Sequence, residues 1–208
     1  MAYIGNKPAN KAVVASDLDP AVITGQTALA VAPADTDEFL ISDAGTLKRI
    51  DASLVGGGGI TVADQWRITS DLTSNADPIT NVEQVDTAGQ GTLGSAMTQS
   101  SGIFTFPATG IYSVRFNAYG IHGSTNDNVG VAIHVSTDGG SSYNLVAESY
   151  DGNDSSNSLS MSCESLIDVT NVSNVKVKFQ VDSISSSTLH GSSTVNKSAM
   201  TFIRLGDT

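Results

Sequence analysis

Three histidines, His122, His134 and His190, are the residues best suited to acid–base or metal chemistry. They fall in different predicted strands or loops, and they lack the spacing of zinc ligands. Gly-Ser follows both His122 and His190, which predicts that these two begin exposed loops. The sequence contains no G-x-S-x-G, phosphate-loop or H-E-x-x-H motif. Glycoside hydrolysis needs two carboxylates at a fixed separation, whereas the acidic residues here cluster in turns, so we predict that the protein is not an enzyme.

The tetrapeptide from Asp151 to Asp154 is the best metal candidate because it concentrates oxygen donors in one predicted turn. Carboxylate and amide oxygens suit Ca²⁺, but the segment lacks the full spacing and the distal Glu of an EF-hand. An Asx turn that caps its own backbone is the preferred interpretation. We therefore predict no cofactor, with Ca²⁺ at Asp151, Asn153 and Asp154 as the alternative.

Charge and composition exclude several kinds of partner. The formal net charge is −11 with a pI near 4.3, and the 10 Lys and Arg residues are scattered. A nucleic-acid partner is therefore not expected, since phosphate backbones are bound by clustered cations. No apolar segment has the length of a membrane span, and the first residues do not form a signal peptide, so we expect synthesis in a cytoplasm and no membrane insertion. The single cysteine, Cys163, is predicted to be a buried structural thiol.

Three polar segments, residues 121–128, 150–158 and 183–196, are predicted to be exposed loops. Hydroxyl and amide side chains form adaptable hydrogen bonds, so such loops suit recognition of a glycan or a protein, although they suit an inert solvated surface equally well. Tyr150 is the aromatic residue there that could stack on a sugar ring. The candidate recognition residues are His122, Asn126, Tyr150, Asn153 and His190.

Alternation of apolar and polar residues predicts the strands that carry these loops. Between Ser101 and Gly120 the alternation continues on both sides of a Pro-Ala-Thr-Gly turn, which predicts two antiparallel strands forming a hairpin. Residues 129–135 and 175–181 show the same period. The abundance of Gly, Ser, Thr and Asn is typical of all-β proteins with many turns. We predict a two-sheet sandwich of about eight to ten strands.

The pattern G-x-F-T-x-P-x-x-G-x-Y-x-x-x-F-x-A at residues 102–118 resembles the central hairpin of C1q/TNF-like domains. This resemblance implies a jelly roll over residues 60–208 that assembles as a homotrimer, and some C1q-like domains bind Ca²⁺. We expect the large apolar residues of its strands to form the core or the trimer interface: Trp66, Phe104, Phe106, Tyr112, Phe116, Phe179 and Phe202.

Residues 1–55 differ in character from the rest, since they are rich in Ala and Pro and end at a run of glycines, residues 56–59. Residues 38–51 predict a small hairpin. A two-stranded hairpin is marginal alone, so this region is expected to gain order on a partner. We predict an N-terminal attachment arm (1–55), a glycine hinge (56–59) and the jelly-roll knob (60–208).

The segments MAYIGNKPAN (1–10) and DEFLISDAGTLKRIDASLV (37–55) resemble the N-terminal regions of marine bacteriophage virion proteins, especially fibres of phages that infect cyanobacteria. The resemblance implies a virion location and a short trimeric fibre, whose arm binds other tail or capsid proteins and whose knob contacts a glycan or protein of the host surface. The attachment residues would be Tyr3, Ile4, Pro8, Phe39, Ile41, Leu47 and Ile50. The alternatives are a capsid decoration or head-fibre protein, a free-standing C1q-like binding module, and an enzyme acting on a host polysaccharide.

Overall fold

The computed structural model describes residues 24–25, 27, 33–34, 36–44, 46–55, 59–123, 127–153 and 157–208. The chain divides into two compact units, residues 1–57 and 58–208. Several predicted positions lie outside the described residues: Tyr3, Ile4, Pro8, hinge residues 56–58, Asn126, Asp154, and the side chains of Leu47 and Asn153.

The first unit contains the predicted hairpin. Strands β1 (Glu38–Asp43) and β2 (Thr46–Asp51) pair antiparallel, with Phe39 opposite Ile50. A 3₁₀ turn, Ala52–Leu54, follows. All six β1 residues are exposed, so the hairpin is held by its backbone ladder and by surface ion pairs such as Arg49–Glu38 at 3.0 Å. Such pairs add little stability.

The described residues of the second unit form eleven strands. They are β3 (Ala63–Ile68), β4 (Val82–Gln84), β5 (Thr98–Ser100), β6 (Ile103–Thr105), β7 (Gly110–Ile121), β8 (Asp127–Ser136), β9 (Asn144–Asn153), β10 (Ser158–Val169), β11 (Lys176–Asp182), β12 (Thr188–Leu189) and β13 (Ala199–Gly206). No helix in the described ranges is long and apolar enough to span a membrane.

These strands form two antiparallel sheets. The six-stranded sheet has the order β10-β7-β13-β3-β4, with β12 added on β7, and the five-stranded sheet has the order β5-β6-β11-β8-β9. Strands β7, β10 and β11 bury alternate residues. The predicted all-β sandwich is therefore confirmed.

The space between the sheets is filled by aromatic side chains. Phe104 lies at the centre, with ring centroids 5.3 Å from Trp66, 5.5 Å from Phe179 and 5.3 Å from Phe202. Six of the seven residues expected in the core or the trimer interface are buried, namely Phe104, Phe106, Tyr112, Phe116, Phe179 and Phe202, and Trp66 is partly buried against them. These side chains fill the core of one copy, so a surface between copies has to be made by other residues.

One expectation about strand pairing was wrong. The stretch from Ser101 to Gly120 does not form a hairpin, because β6 pairs with β5 and β11 whereas β7 pairs with β10, β12 and β13. The chain crosses from one sheet to the other through Pro107–Thr109. Phe106 and Tyr112 then meet across the core with ring centroids 4.7 Å apart. Alternation identified the inward faces correctly, but period two does not specify which sheet a strand joins.

Candidate functional site

The three predicted loops approach one another at the end of β7. The backbone N–H of His122 donates to the carbonyl of Asn157 at 2.9 Å, and the N–H of Gly123 donates to the hydroxyl of Ser187 at 3.2 Å. His122 belongs to the first loop, Asn157 to the second and Ser187 to the third. The structure therefore brings together segments that lie far apart in the sequence.

His122 was expected to be an exposed recognition residue, and this expectation was wrong. Its side chain is 0% exposed, because the second and third loops pack over the end of β7. The Nδ1 atom lies 3.4 Å from Ser187 Oγ, whereas Nε2 is buried, has no hydrogen-bond partner among the described residues, and faces Asp151 Oδ1 at 3.9 Å. The other carboxylate oxygen of Asp151 accepts the N–H of Ser160 at 3.0 Å. Within the described residues, Nε2 of His122 is therefore a buried polar atom that makes no hydrogen bond.

His190 is partly buried and belongs to a second histidine–carboxylate pair. Its Nδ1 atom lies 3.1 Å from Asp71 Oδ2, and Asp71 Oδ1 accepts the N–H of Gly191 at 2.9 Å. Partial burial would raise the pKa of Asp71, but the bonds from Gly191 and His190 outweigh it and lower that pKa. The ring of His190 packs against Tyr119, 5.4 Å between centroids. Both carboxylate oxygens of Asp71 are hydrogen-bonded, so the pair is a structural clamp at the loop base.

Tyr150 lies on β9, on the outer face of the five-stranded sheet, and is exposed. Its hydroxyl donates to Asp182 Oδ2 at 3.2 Å. Its ring covers Gly130 on the paired strand, where any side chain would overlap the ring. Partial desolvation and the neighbouring Asp182 raise the pKa of the Tyr150 phenol. The ring is exposed on this face, and the sugar contact remains a prediction.

The predicted Ca²⁺ site stays a prediction, because the side chains of Asn153 and Asp154 lie outside the described residues. Asp151 is the member whose side chain is described, and one of its oxygens faces an imidazole nitrogen rather than further oxygens. Ca²⁺ prefers a shell made only of oxygen ligands. Across the described ranges, no three His, Cys, Asp or Glu side chains are grouped closely enough to hold a metal.

Cys163 is buried on β10. Burial raises the pKa of its thiol to about 11, so at neutral pH it stays protonated. The thiolate is the nucleophile and the metal ligand. The structure therefore shows a packing residue, as the alternating small residues around it predicted.

A shallow recess of about 260 Å³ lies on the outer face of the six-stranded sheet, lined by Gln65, Ser113, Arg115, Asn117, Thr201 and Ile203. Beside it, the guanidinium of Arg115 donates to Glu164 Oε2 at 2.6 and 2.9 Å, and the Ser113 hydroxyl donates to Glu164 Oε1 at 2.6 Å. Leu166, two residues along β10, is 65% exposed. The face is thus a fixed polar array next to a large apolar side chain.

Sequence reasoning missed Arg67 and Asp64, two buried charged residues on β3. Arg67 donates to Glu83 at 2.8 Å, to Asp86 and to the carbonyl of Ser193. Burial lowers the pKa of its guanidinium, but the two carboxylates outweigh burial and raise it. Asp64 accepts bonds from the Trp66 indole and from the backbone of Met97. The sequence does show two carboxylates, Glu83 and Asp86, that could pair with Arg67, but no sequence pattern predicts that they lie next to it.

Comparison with known proteins identifies the fold. No protein-family model and no curated protein matches the sequence. Among solved structures, the TNF Eiger from S. frugiperda matches with a TM-score of 0.52 and 13% identity, over 72% of this chain and 96% of that one. The globular domain of zebrafish complement 1qA matches with a TM-score of 0.48 and 15% identity, over 71% and 99%. The knob is a C1q/TNF-like jelly roll, as the motif at residues 102–118 indicated.

Proposed function

We propose that the chain is a phage virion structural protein, a short homotrimeric fibre whose N-terminal arm binds other virion proteins and whose jelly roll presents its loops to the host surface. The resemblance of residues 1–10 and 37–55 to virion proteins supports a location in the virion. The observation that carries the proposal is the hairpin of the first unit, which exposes the apolar side chains that a strand pair normally buries.

The hairpin has the chemistry of an attachment element. Phe39, Leu40 and Ile41 are consecutive in β1, and their exposed fractions are 42%, 75% and 37%. A two-stranded pair in water is marginal, and large exposed apolar side chains mark interaction sites. A protein socket that covers this strand would stabilise the hairpin and anchor the chain. Phe39, Ile41 and Ile50 therefore remain our attachment residues, with Leu40 added.

The outer face of the six-stranded sheet is our proposed surface between copies. Four exposed apolar residues lie on strands of this sheet: Tyr119, Ile121, Leu166 and Leu205. A ring of copies forms when one surface patch packs against a different patch of the next copy with a rotation that closes. Leu166, which lies beside the Arg115–Glu164 pair, gives such a contact apolar area, and the ion pair gives it polar contacts that fix its orientation.

Trimer formation is tested by light scattering on the purified full-length chain. We expect a mass of three chains for the wild type, and monomers for Leu166→Glu, because a carboxylate would be desolvated in the contact. Leu145→Glu is the matched control, since Leu145 is 49% exposed but lies on the five-stranded sheet. A trimeric L166E variant, or a monomeric L145E variant, would contradict this choice of face.

The virion role is tested by gold-labelled antibody against residues 60–208 on intact particles. Label at the tail is the result expected for a host-binding fibre. Label spread over the head would replace the tail fibre with a capsid decoration or head-fibre protein. Absence of label from particles would leave the free-standing binding module, which the near-complete coverage of solved single domains favours. In that case, residues 58–208 alone should retain all binding.

A further inference from the structure

The hairpin of the first unit has two faces, and the register of its strands assigns each side chain to one of them. Successive side chains of a strand point to opposite faces. Phe39 lies opposite Ile50, and Ile41 lies opposite Lys48. Phe39, Ile41 and Ile50 therefore share one face, which we call the phenylalanine face, and Leu40 lies on the other.

The phenylalanine face is apolar, and one copy of the chain covers it only in part. Phe39 and Ile41 are 42% and 37% exposed, and Ile50 is partly buried opposite Phe39. Large apolar side chains exposed together mark interaction sites. We propose that this face packs against the same face of two further copies, so that the three hairpins of one trimer enclose a small apolar core. The inference rests on the homotrimer proposed above.

Charge favours the phenylalanine face over the opposite face for contact between copies. The charged residues on the phenylalanine face, Asp43 and Lys48, form an ion pair with each other, so three copies bring no net charge together there. The opposite face carries Glu38, Arg49 and Asp51, two carboxylates and one guanidinium, so three copies would bring together an excess of negative charge. Like charges held close together repel. The opposite face is therefore expected to point outward.

A short tether keeps the three hairpins of one trimer within reach of one another. Residues 55–62 lie between the 3₁₀ turn and β3, and at about 3.3–3.6 Å per residue they span no more than about 35 Å. Strand β3 belongs to the six-stranded sheet, whose outer face is our proposed surface between copies. Tethers of this length give an effective concentration in roughly the millimolar range, so each hairpin meets the others of its own trimer first.

Packing of three hairpins divides the attachment residues into two groups. Phe39, Ile41 and Ile50 would build the trimeric anchor, and Leu40, which is 75% exposed, would contact the virion socket from the outer face. A two-stranded hairpin is marginal alone. Fully burying a single large apolar side chain shifts an equilibrium by about tenfold or more, so contact between copies should stabilise each hairpin measurably.

The test compares Ile41→Cys with Leu40→Cys in the full-length protein, because neighbouring residues of β1 point to opposite faces. Each variant is treated with a short bis-maleimide, at a concentration where light scattering shows trimers and dilution keeps separate trimers apart. We expect linked dimers, with one chain of each trimer left over, from Ile41→Cys and none from Leu40→Cys. The native Cys163 is buried, and the wild type measures its background.

Each other result of the cross-linking has a definite meaning. Equal linking of the two variants, or linking of Leu40→Cys alone, would overturn the choice of face. If neither variant became linked although both were trimeric, contact between hairpins would be excluded and the homotrimer would stand. A wild type that is monomeric would overturn the homotrimer and this inference together.

Hydrogen exchange gives a second readout that does not depend on a cysteine in the hairpin. In Leu166→Glu, which we expect to be monomeric, the hairpin loses its neighbours, so amides of residues 38–51 should exchange at least about tenfold faster than in the wild type. Leu145→Glu, the variant that should stay trimeric, should exchange like the wild type. Equal exchange of these amides in trimeric wild type and monomeric Leu166→Glu would contradict packing between hairpins.

Discussion

The interior of the jelly roll and the N-terminal hairpin use the same kinds of residue with opposite outcomes. Phe104 is fully buried, with aromatic rings of three residues within 5.5 Å between centroids. Phe39 is also a phenylalanine in a short antiparallel strand, yet it is 42% exposed. The difference is a second sheet: in the knob a second sheet packs over Phe104, whereas none covers the hairpin among the described residues of its unit. The apolar residues of a strand therefore indicate a face that is more stable when buried, but whether that face is buried depends on which other elements pack against it.

The largest effect is expected from Phe104→Ala. Truncation removes the ring at the centre of the aromatic cluster and leaves a cavity between packed sheets, which costs about 3–5 kcal/mol of the free energy of unfolding. Chemical denaturation of the knob measures this. A loss of unfolding free energy below about 1 kcal/mol would show that the sheets move together to fill the cavity. Phe104 would then contribute no more to stability than an exposed residue such as Phe39.

Arg67→Met should have the next largest effect. The buried guanidinium ties the loop at residues 83–90 and the carbonyl of Ser193 to β3. Its carboxylate partners are accessible, with Glu83 34% and Asp86 77% exposed, and can be rehydrated. The loss is therefore that of hydrogen bonds to a charged group, about 1.5–3 kcal/mol. Faster hydrogen exchange confined to residues 83–90 and 191–195 would locate the effect, and uniform exchange would contradict it.

Glu164→Gln tests how much an exposed ion pair on the outer face of the six-stranded sheet adds to stability, compared with the buried core. The Ser113 hydroxyl, followed by the Arg115 guanidinium, lowers the pKa of Glu164 below its ordinary value of 4.5. The bonded carboxylate therefore stabilises the fold fully above that pH, and the contribution disappears as the pH falls through the lowered pKa. Both side chains are substantially exposed, 50% for Arg115 and 39% for Glu164, so water screens the pair.

The wild type should exceed Glu164→Gln by about 0.2–1 kcal/mol at pH 7, and the two proteins should converge in acid. Unfolding curves recorded between pH 7 and pH 3, at a concentration where both proteins have the same oligomeric state, measure the difference. If the difference in unfolding free energy between the two proteins grew as the pH fell, the ionised Glu164 would not be the group that stabilises this face.

Phe39→Ser should have the smallest effect on stability. Because Phe39 is exposed in the hairpin unit, its loss should change the unfolding free energy of the knob by no more than about 0.5 kcal/mol. Incorporation into particles should fall instead, if the hairpin is the anchor. Ser42→Ala, also exposed on β1, is the control that should change neither quantity. A destabilised knob would show that Phe39 serves folding rather than attachment.

Sequence reasoning worked best where one residue's environment is set by its own strand. Alternation predicted strands at residues 129–135 and 175–181, and Val131, Val177 and Phe179 on these strands are all buried. The motif at residues 102–118 gave the fold class because its spacing reflects how the chain crosses this sandwich. The hairpin at residues 38–51 followed from its turn residues.

The errors share a different cause: each depends on segments that are distant in sequence. Gly-Ser after His122 does mark the end of a strand, but Asn157 and Ser187 arrive from elsewhere and cover it. Arg67 is polar in a strand and looks exposed until residues 83–90 fold over it. Tyr150 was assigned to a loop, although pairing with Gly130 extends β9 through it. Local pattern contains no information about which neighbours a fold will supply.

The position of β13 has a consequence for how the protein is made. Residues 199–206 insert between β7 and β3, and the other edge of β3 pairs with β4 and with Leu93. While a ribosome is still synthesising the preceding residues, β3 and β7 each present an unpaired edge, the kind of surface on which nascent chains associate wrongly. The hairpin at residues 38–51 is complete much earlier. Translation therefore produces the hairpin first, and the knob can close only after residues 199–206 have emerged.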